Sequence, residues 1–351
     1  MLQVQTNRFD LLRLMFALVV CVFHAVALTA FHPLGPLETV LGQGAEIAIQ
    51  GFFITSGALV SGSLDRANTL TDYADKRVRR LYPAYATVIL IPAIISLALS
   101  RDLSGVLAYL GANLTFLNFL APNLPGLFEG QRFTEVNGAL WTLKIEVMFY
   151  LALPLIAFAL RRMGRFWWLG IALLYVGGEA WRLGLPHFWD AAVAPTIARQ
   201  LPGQMAFFAT GIALWRLWSV AKARPLAYGA AGLVLVALSL VHPVFVPARA
   251  AGIAGLIACV AFMPGPMLNA ARFGDVSYGV YITHYPIVQS LVMLGLFAAA
   301  GPIAGFALTG FIVFAASLLL WHSVEKPALR PTSHYRQAAG TEHAVKRQET
   351  A

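Results

Sequence analysis

Apolar residues run along this chain in blocks of roughly 18–24, parted by short polar or charged stretches, which is the pattern of membrane-crossing helices. Ten such spans are expected, at about residues 10–31, 42–63, 81–100, 140–160, 166–184, 197–217, 226–242, 248–264, 276–297 and 302–322. The fold class expected is therefore an all-α polytopic membrane protein. The first block is too long for a cleaved signal peptide, carries His24 and is followed by further spans, so it reads as an uncleaved first helix.

The loops fall into two sets. One holds Arg66, Lys76, Arg77, Arg79 and Arg80, then Arg161, Arg162 and Arg165, then Arg216 to Arg224, Arg272, Lys326 and Arg330. The other, at 32–41, 101–139, 185–196, 243–247 and 298–301, is poorer in Lys and Arg. By the positive-inside rule the first set is cytoplasmic, and so are both termini. Residues 103–120 are also apolar, but counting them as a span would invert every later loop. They are read as an interfacial or re-entrant helix in a long outer loop. The expected organisation is one transmembrane domain over 6–328 and a polar, disordered cytoplasmic tail over 331–351.

Composition agrees. The chain has 351 residues, of which 59% are hydrophobic and 12% charged, about half the charge fraction of a soluble domain. The net charge of +9 does not point to nucleic acid, because the basic residues sit between apolar blocks and act as topology signals. Cys21 and Cys259 each lie inside an apolar block and offer neither a disulfide nor a metal framework.

Ionisable groups within the spans are the candidates for chemistry, because they are expensive there. Asp10, Arg13 and His24 fall along one stripe of the first helix; Arg13 and His24 are eleven residues apart, close to three turns. That spacing puts His24 in the outer half of the membrane, where a neutral imidazole can serve as a general base toward a hydroxyl or simply hydrogen-bond to a neighbouring helix. In the second span Glu46 and Gln50 are i,i+4 neighbours, and Ser56, Gly57 and Ala58 read as close-packing residues. Arg77 and Arg80, one turn apart, are either a stop-transfer cluster or a grip for phosphates. Trp141 opens the fourth span, where a buried Glu146, with Tyr150 at i+4, needs a partner such as His24 or an arginine. Tyr278, Tyr281 and His284 recur at i, i+3, i+6 on the ninth span, and Glu325 closes the last, where it can reach an arginine of the 77–80 cluster.

Together these segments resemble the integral-membrane acyltransferase-3 family, the bacterial O-acetyltransferases of surface glycans and small molecules. Arg13 and His24 are similar to the family's basic residue, ten intervening residues, then His. Gly51–Gly57 resembles its Phe-Phe-x-x-Ser-Gly segment, and Arg77-Val78-Arg79-Arg80 its Arg-x-x-Arg. Trp141-Thr142-Leu143 with Glu146 resembles its Trp-Ser-Leu-x-x-Glu block, with Thr for Ser, and Tyr281 with His284 its late Tyr-x-x-His. Leu11 stands where the family usually has glycine. The resemblance implies acyl transfer, usually acetyl, from cytoplasmic acyl-CoA to a hydroxyl, usually of a sugar, in the bacterial inner membrane. It implies catalysis by His24, as general base or as a transient acyl-imidazole, supported by Asp10, Arg13 and Glu146. It implies donor binding by Arg77 and Arg80; Tyr281 and His284, lining the cavity, are expected to bind the donor too, while Ser56, Trp141, Tyr150 and Glu325 pack or support. No cofactor or metal is expected. The expected partners are acyl-CoA, a glycan or lipid-linked sugar acceptor, and membrane lipids. A secondary transporter and a non-catalytic glycan-binding membrane protein are the rival readings.

Overall fold

Long apolar segments in a membrane must satisfy their backbone groups internally, and helices are the way a single segment does so. In the computed structural model, which describes residues 8–29, 35–265, 274–333 and 335–336, every regular element among those residues is helical. The main helices are α1 (Phe9–Thr29), α2 (Gly35–Asp65), α3 (Leu70–Ser100), α4 (Leu103–Leu114), α5 (Trp141–Arg162) and α6 (Trp167–Glu179). They continue with α7 (Leu201–Arg216), α8 (Pro225–Val241), α9 (Arg249–Phe262), α10 (Val276–Met293) and α11 (Leu296–Leu320).

Six helical segments among the described residues are long and apolar enough to cross a bilayer: Phe9–Thr29, Gly35–Asp65, Leu70–Ser100, Gly138–Arg162, Pro243–Phe262 and Leu296–Ala328. The other four expected spans fall on α6, α7, α8 and α10, which are helical but shorter or more polar. α6 continues through a π-helical stretch, Ala180–Gly184. α11 breaks at Gly301, whose φ of 75° is left-handed, just before Pro302. Arg272 and most of the expected tail, residues 334 and 337–351, lie outside the described residues.

The awkward apolar block at 103–120 is a 12-residue helix followed by a turn. At about 1.5 Å per residue, α4 is roughly 18 Å long, short of a hydrocarbon core about 30 Å thick. Asp102 caps it, its carboxylate accepting from the Gly105 amide at 3.0 Å and from the Ser104 hydroxyl at 2.8 Å.

The chain folds into two compact units. Of the described residues, the first comprises 8–13, 46–73 and 145–265, the second 14–29, 35–45, 74–144, 274–333 and 335–336. In the first unit α5 shows the two-faced pattern of a membrane helix at a bundle edge: Ile145, Phe149 and Leu153 are buried, while Leu151, Leu155 and Phe158 are exposed. Phe149 stacks on Phe208, which also meets Phe53. Pro154 has no N–H for the Tyr150 carbonyl four residues back, and the Tyr73 hydroxyl donates to that carbonyl instead, at 3.0 Å. α2 and α7 approach backbone to backbone where Gly57 meets Gly211.

That close approach is testable. A Cβ on Gly211 would sit 2.1 Å from the Ile54 carbonyl oxygen, so Gly211→Ala is expected to lower stability by about 1–3 kcal/mol. Gly111→Ala, on the open face of α4 where nothing lies within 4 Å of the new methyl, is expected to hold or slightly raise it. Thermal unfolding in detergent micelles distinguishes the two.

Candidate active site

α1 and α10 bring two imidazoles together in the second unit. His24 Nδ1 lies 2.9 Å from His284 Nε2, and the rings stack with centroids 5.1 Å apart. His284 Nδ1 lies 3.0 Å from the Val280 carbonyl one turn back on α10. The Tyr285 ring meets His24 edge-on at 5.1 Å, and its hydroxyl donates to Glu135 Oε1 at 2.9 Å. His24 is partly exposed, whereas His284 is 0% exposed.

The loop between α4 and α5 is moulded onto this pair. Pro286 lies two residues beyond His284 and leaves the Ile282 carbonyl without its helical donor. Asn137 Nδ2 donates to it at 2.8 Å, and Gln289 Nε2 donates to the Phe133 carbonyl at 2.7 Å. Gly138 lies so close to the Tyr285 ring that a Cβ there would be 2.8 Å from it. Arg132 reaches the Ala27 carbonyl at 2.8 Å and Glu38 at 2.9 Å, tying the loop to α1 and α2. Thr142, where the family motif has Ser, pairs its hydroxyl with that of Tyr281 at 2.7 Å.

A second cluster of this unit surrounds Arg80. Its guanidinium is buried and bonds Glu325 at 2.8 Å and, at short range, Asp275. It also lies 4.5 Å from the Tyr335 ring centroid and 5.5 Å from that of Tyr278. Asp275 caps α10, accepting from the Ser277 amide and hydroxyl. Glu325 belongs to a π-helical turn, Trp321–Glu325, after α11. Arg80 is thus neutralised inside the protein and presents no open face to a phosphate. Arg77, half-buried, is engaged by neighbouring groups, and exposed Arg79 shares Asp75 with Arg330.

In the first unit Glu146 accepts from Ser56 Oγ at 3.0 Å and, at short range, from the Tyr150 hydroxyl. The partner expected for it was an imidazole or a guanidinium; hydroxyls fill that role, one from its own helix four residues on. Ser56, expected only to pack, supplies the other. Asp10 lies in the first turn of α1, and it and Arg13 are engaged by neighbouring groups. Along one continuous helix Arg13 is about 16 Å from His24 and Asp10 about 21 Å, so no residue of that stripe touches the imidazole. The carboxylate expected to orient His24 is replaced at Nδ1 by His284. Sequence reasoning missed Asp275, Glu135 and Asn137, which lie in stretches that read as loops, and Arg249, which bonds Ser239 and Glu46 near an expected loop end.

The sequence model of the Acyl_transf_3 family, described as an acyltransferase domain, matches residues 6–322. The chain belongs to this family. It is an enzyme, an acyltransferase, built as a multi-pass membrane protein. It is similar to Nodulation protein 10 of Rhizobium leguminosarum bv. viciae, with 28% identity over 92% of this chain and 93% of that protein. It is also similar to the O-acetyl transferase of Shigella phage Sf6, with 28% identity over 94% of this chain and 98% of that one. No solved structure matches the acyltransferase.

The buried ion cluster carries a prediction. Removing one partner of a buried charge set leaves the others uncompensated, at about 3–5 kcal/mol. Arg80→Met strands two carboxylates and is expected to lower the melting temperature of the micelle-solubilised enzyme by many degrees. Arg79→Met, which leaves Asp75 its bond to Arg330 at 2.6 Å, is expected to leave it nearly unchanged.

Proposed function

We propose that this acyltransferase moves an acetyl group from cytoplasmic acetyl-CoA to a hydroxyl of a carbohydrate or lipid-linked sugar of the bacterial cell envelope. The observation that carries the reading is the partly exposed His24 held against His284 in a chain that belongs to an acyltransferase family. The relative named an O-acetyl transferase supports both the acyl group and the oxygen acceptor.

In this reading the acceptor oxygen attacks the thioester carbonyl carbon, the carbon–sulfur bond breaks, and CoA leaves as a thiolate. His24 takes the hydroxyl proton as general base and returns it to the thiolate. Were His24 to carry the acyl group itself, its nitrogen would attack first and the acceptor would displace it. The CoA phosphates meet Arg77 on α3. Arg80, pinned by Asp275 and Glu325, holds that end of α3 in place, and Glu146 supports through Ser56 and Tyr150. The scaffold is read as ten spans in the inner membrane with both termini cytoplasmic and α4 lying in the outer interface, following the loop charges.

The test is acceptor-dependent release of CoA thiol from acetyl-CoA by the purified protein, with lipid-linked envelope sugars extracted from the host as acceptor. Wild-type protein is expected to release CoA and His24→Ala to release it about 10²–10⁴ times more slowly. No acceptor-dependent release, as from a transporter or a glycan-binding protein, would sink the proposal.

A further inference from the structure

We infer that His284 is a positioning residue that fixes the tautomer of His24 and thereby makes Nε2 of His24 the reacting nitrogen. The inference rests on the catalytic reading of His24 given above and adds which atom acts and what aims it.

The assignment runs along one chain of hydrogen bonds. A backbone carbonyl only accepts, so at 3.0 Å from Val280 O the Nδ1 atom of His284 carries a proton. A neutral imidazole has one N–H, which leaves Nε2 of His284 as an acceptor. That acceptor faces Nδ1 of His24 at 2.9 Å, and two lone pairs at that distance would repel. Nδ1 of His24 therefore donates, and its Nε2 is the nitrogen with a free lone pair. The opposite polarity would need a doubly protonated His284. At 0% exposure, and with the Glu135 carboxylate bonded to the hydroxyl of Tyr285 rather than to His284, such a cation would be uncompensated.

Burial separates the two rings by role. His284 is enclosed on every side and cannot touch an acceptor or a donor; His24 keeps part of its surface open. The Tyr285 ring, its hydroxyl bonded to Glu135, packs across the His24 ring at an interplanar angle of 73°. The arrangement uses a carbonyl and an imidazole where a triad uses a carboxylate. When His24 Nε2 takes the proton of the acceptor hydroxyl, its Nδ1–H remains on His284 Nε2, and the new positive charge is spread toward the Val280 carbonyl. His284, expected from the sequence to bind the donor, is assigned instead to the catalytic imidazole.

The experiment uses the full chain with 15N-labelled histidine in nanodiscs. The wild-type spectrum is expected to show His24 protonated at Nδ1 and bare at Nε2. His284→Leu is expected to populate the Nε2–H tautomer and to lower kcat for acceptor-dependent CoA release by about 100-fold, within the range of a misdirected general base, with KM for acetyl-CoA unchanged. His284→Gln, whose amide oxygen can accept from Nδ1–H, is expected to stay within about tenfold of wild type. A wild-type His24 protonated at Nε2, or a His284→Leu protein that raises KM for acetyl-CoA while keeping kcat, overturns the proposal. If His284→Leu does not fold, the wild-type spectrum and the His284→Gln rate still decide. A His24→Ala protein that keeps the wild-type rate would overturn the catalytic reading alone, and the spectrum would then judge the tautomer by itself.

Discussion

A guanidinium enclosed by apolar helices has to be neutralised on the spot, and much of the second unit is arranged around doing that for Arg80. Asp275 and Glu325 come from segments about 50 residues apart and meet on a cation carried by α3. Each carboxylate has further work. Asp275 caps α10, which fixes where that helix starts. Glu325 ends the π-helical turn that follows α11. His284 lies nine residues beyond Asp275, about 13–14 Å up the same helix. The depth at which α10 presents its imidazole is therefore set by a charge balance made at its other end. Such a set adds little net stability over a well-packed apolar alternative, because desolvation offsets the attraction. What it contributes here is position.

The same economy appears at Glu146. A carboxylate between Ser56 and the Tyr150 hydroxyl accepts from two neutral hydroxyls, and among the described residues no ion pair to it is seen. Both hydroxyls converge on one carboxylate oxygen, Oε1, as neutral donors that bring no second charge to be desolvated. The Gly57–Gly211 crossing, one residue along α2 from Ser56, is a backbone-level contact that fixes the helix carrying this serine.

Much of this was legible in the sequence, and what was not follows a physical rule. Apolar block length located the helices, because a bilayer imposes a length; it did not fix how many cross, since α6 to α8 and α10 are too short or too polar for length to decide. Local pairs could be read from helical spacing, as with Tyr150 four residues after Glu146. The link from Glu325 to the 77–80 arginines was foreseeable from burial cost, though not that Arg80 would be the one taken, nor that Asp275 would share it. His24 and His284 were each conspicuous as polar groups on apolar helices. Their pairing was invisible, because a spacing of 260 residues carries no periodic signal. Asn137 and Glu135 sat in a loop with no pattern, and only the helix they meet gives them a purpose.

Pro286 shows how that purpose is set. An ordinary helix offers its carbonyls to itself, so a neighbouring side chain must compete for them. Here the Ile282 oxygen has no rival claim, and the Asn137 amide holds it outright. The vacancy exists at one turn only, so the loop can seat on α10 in one register, beside the imidazole pair. A helix fault has become an address, and the chain writes it with a residue that has no amide proton to give.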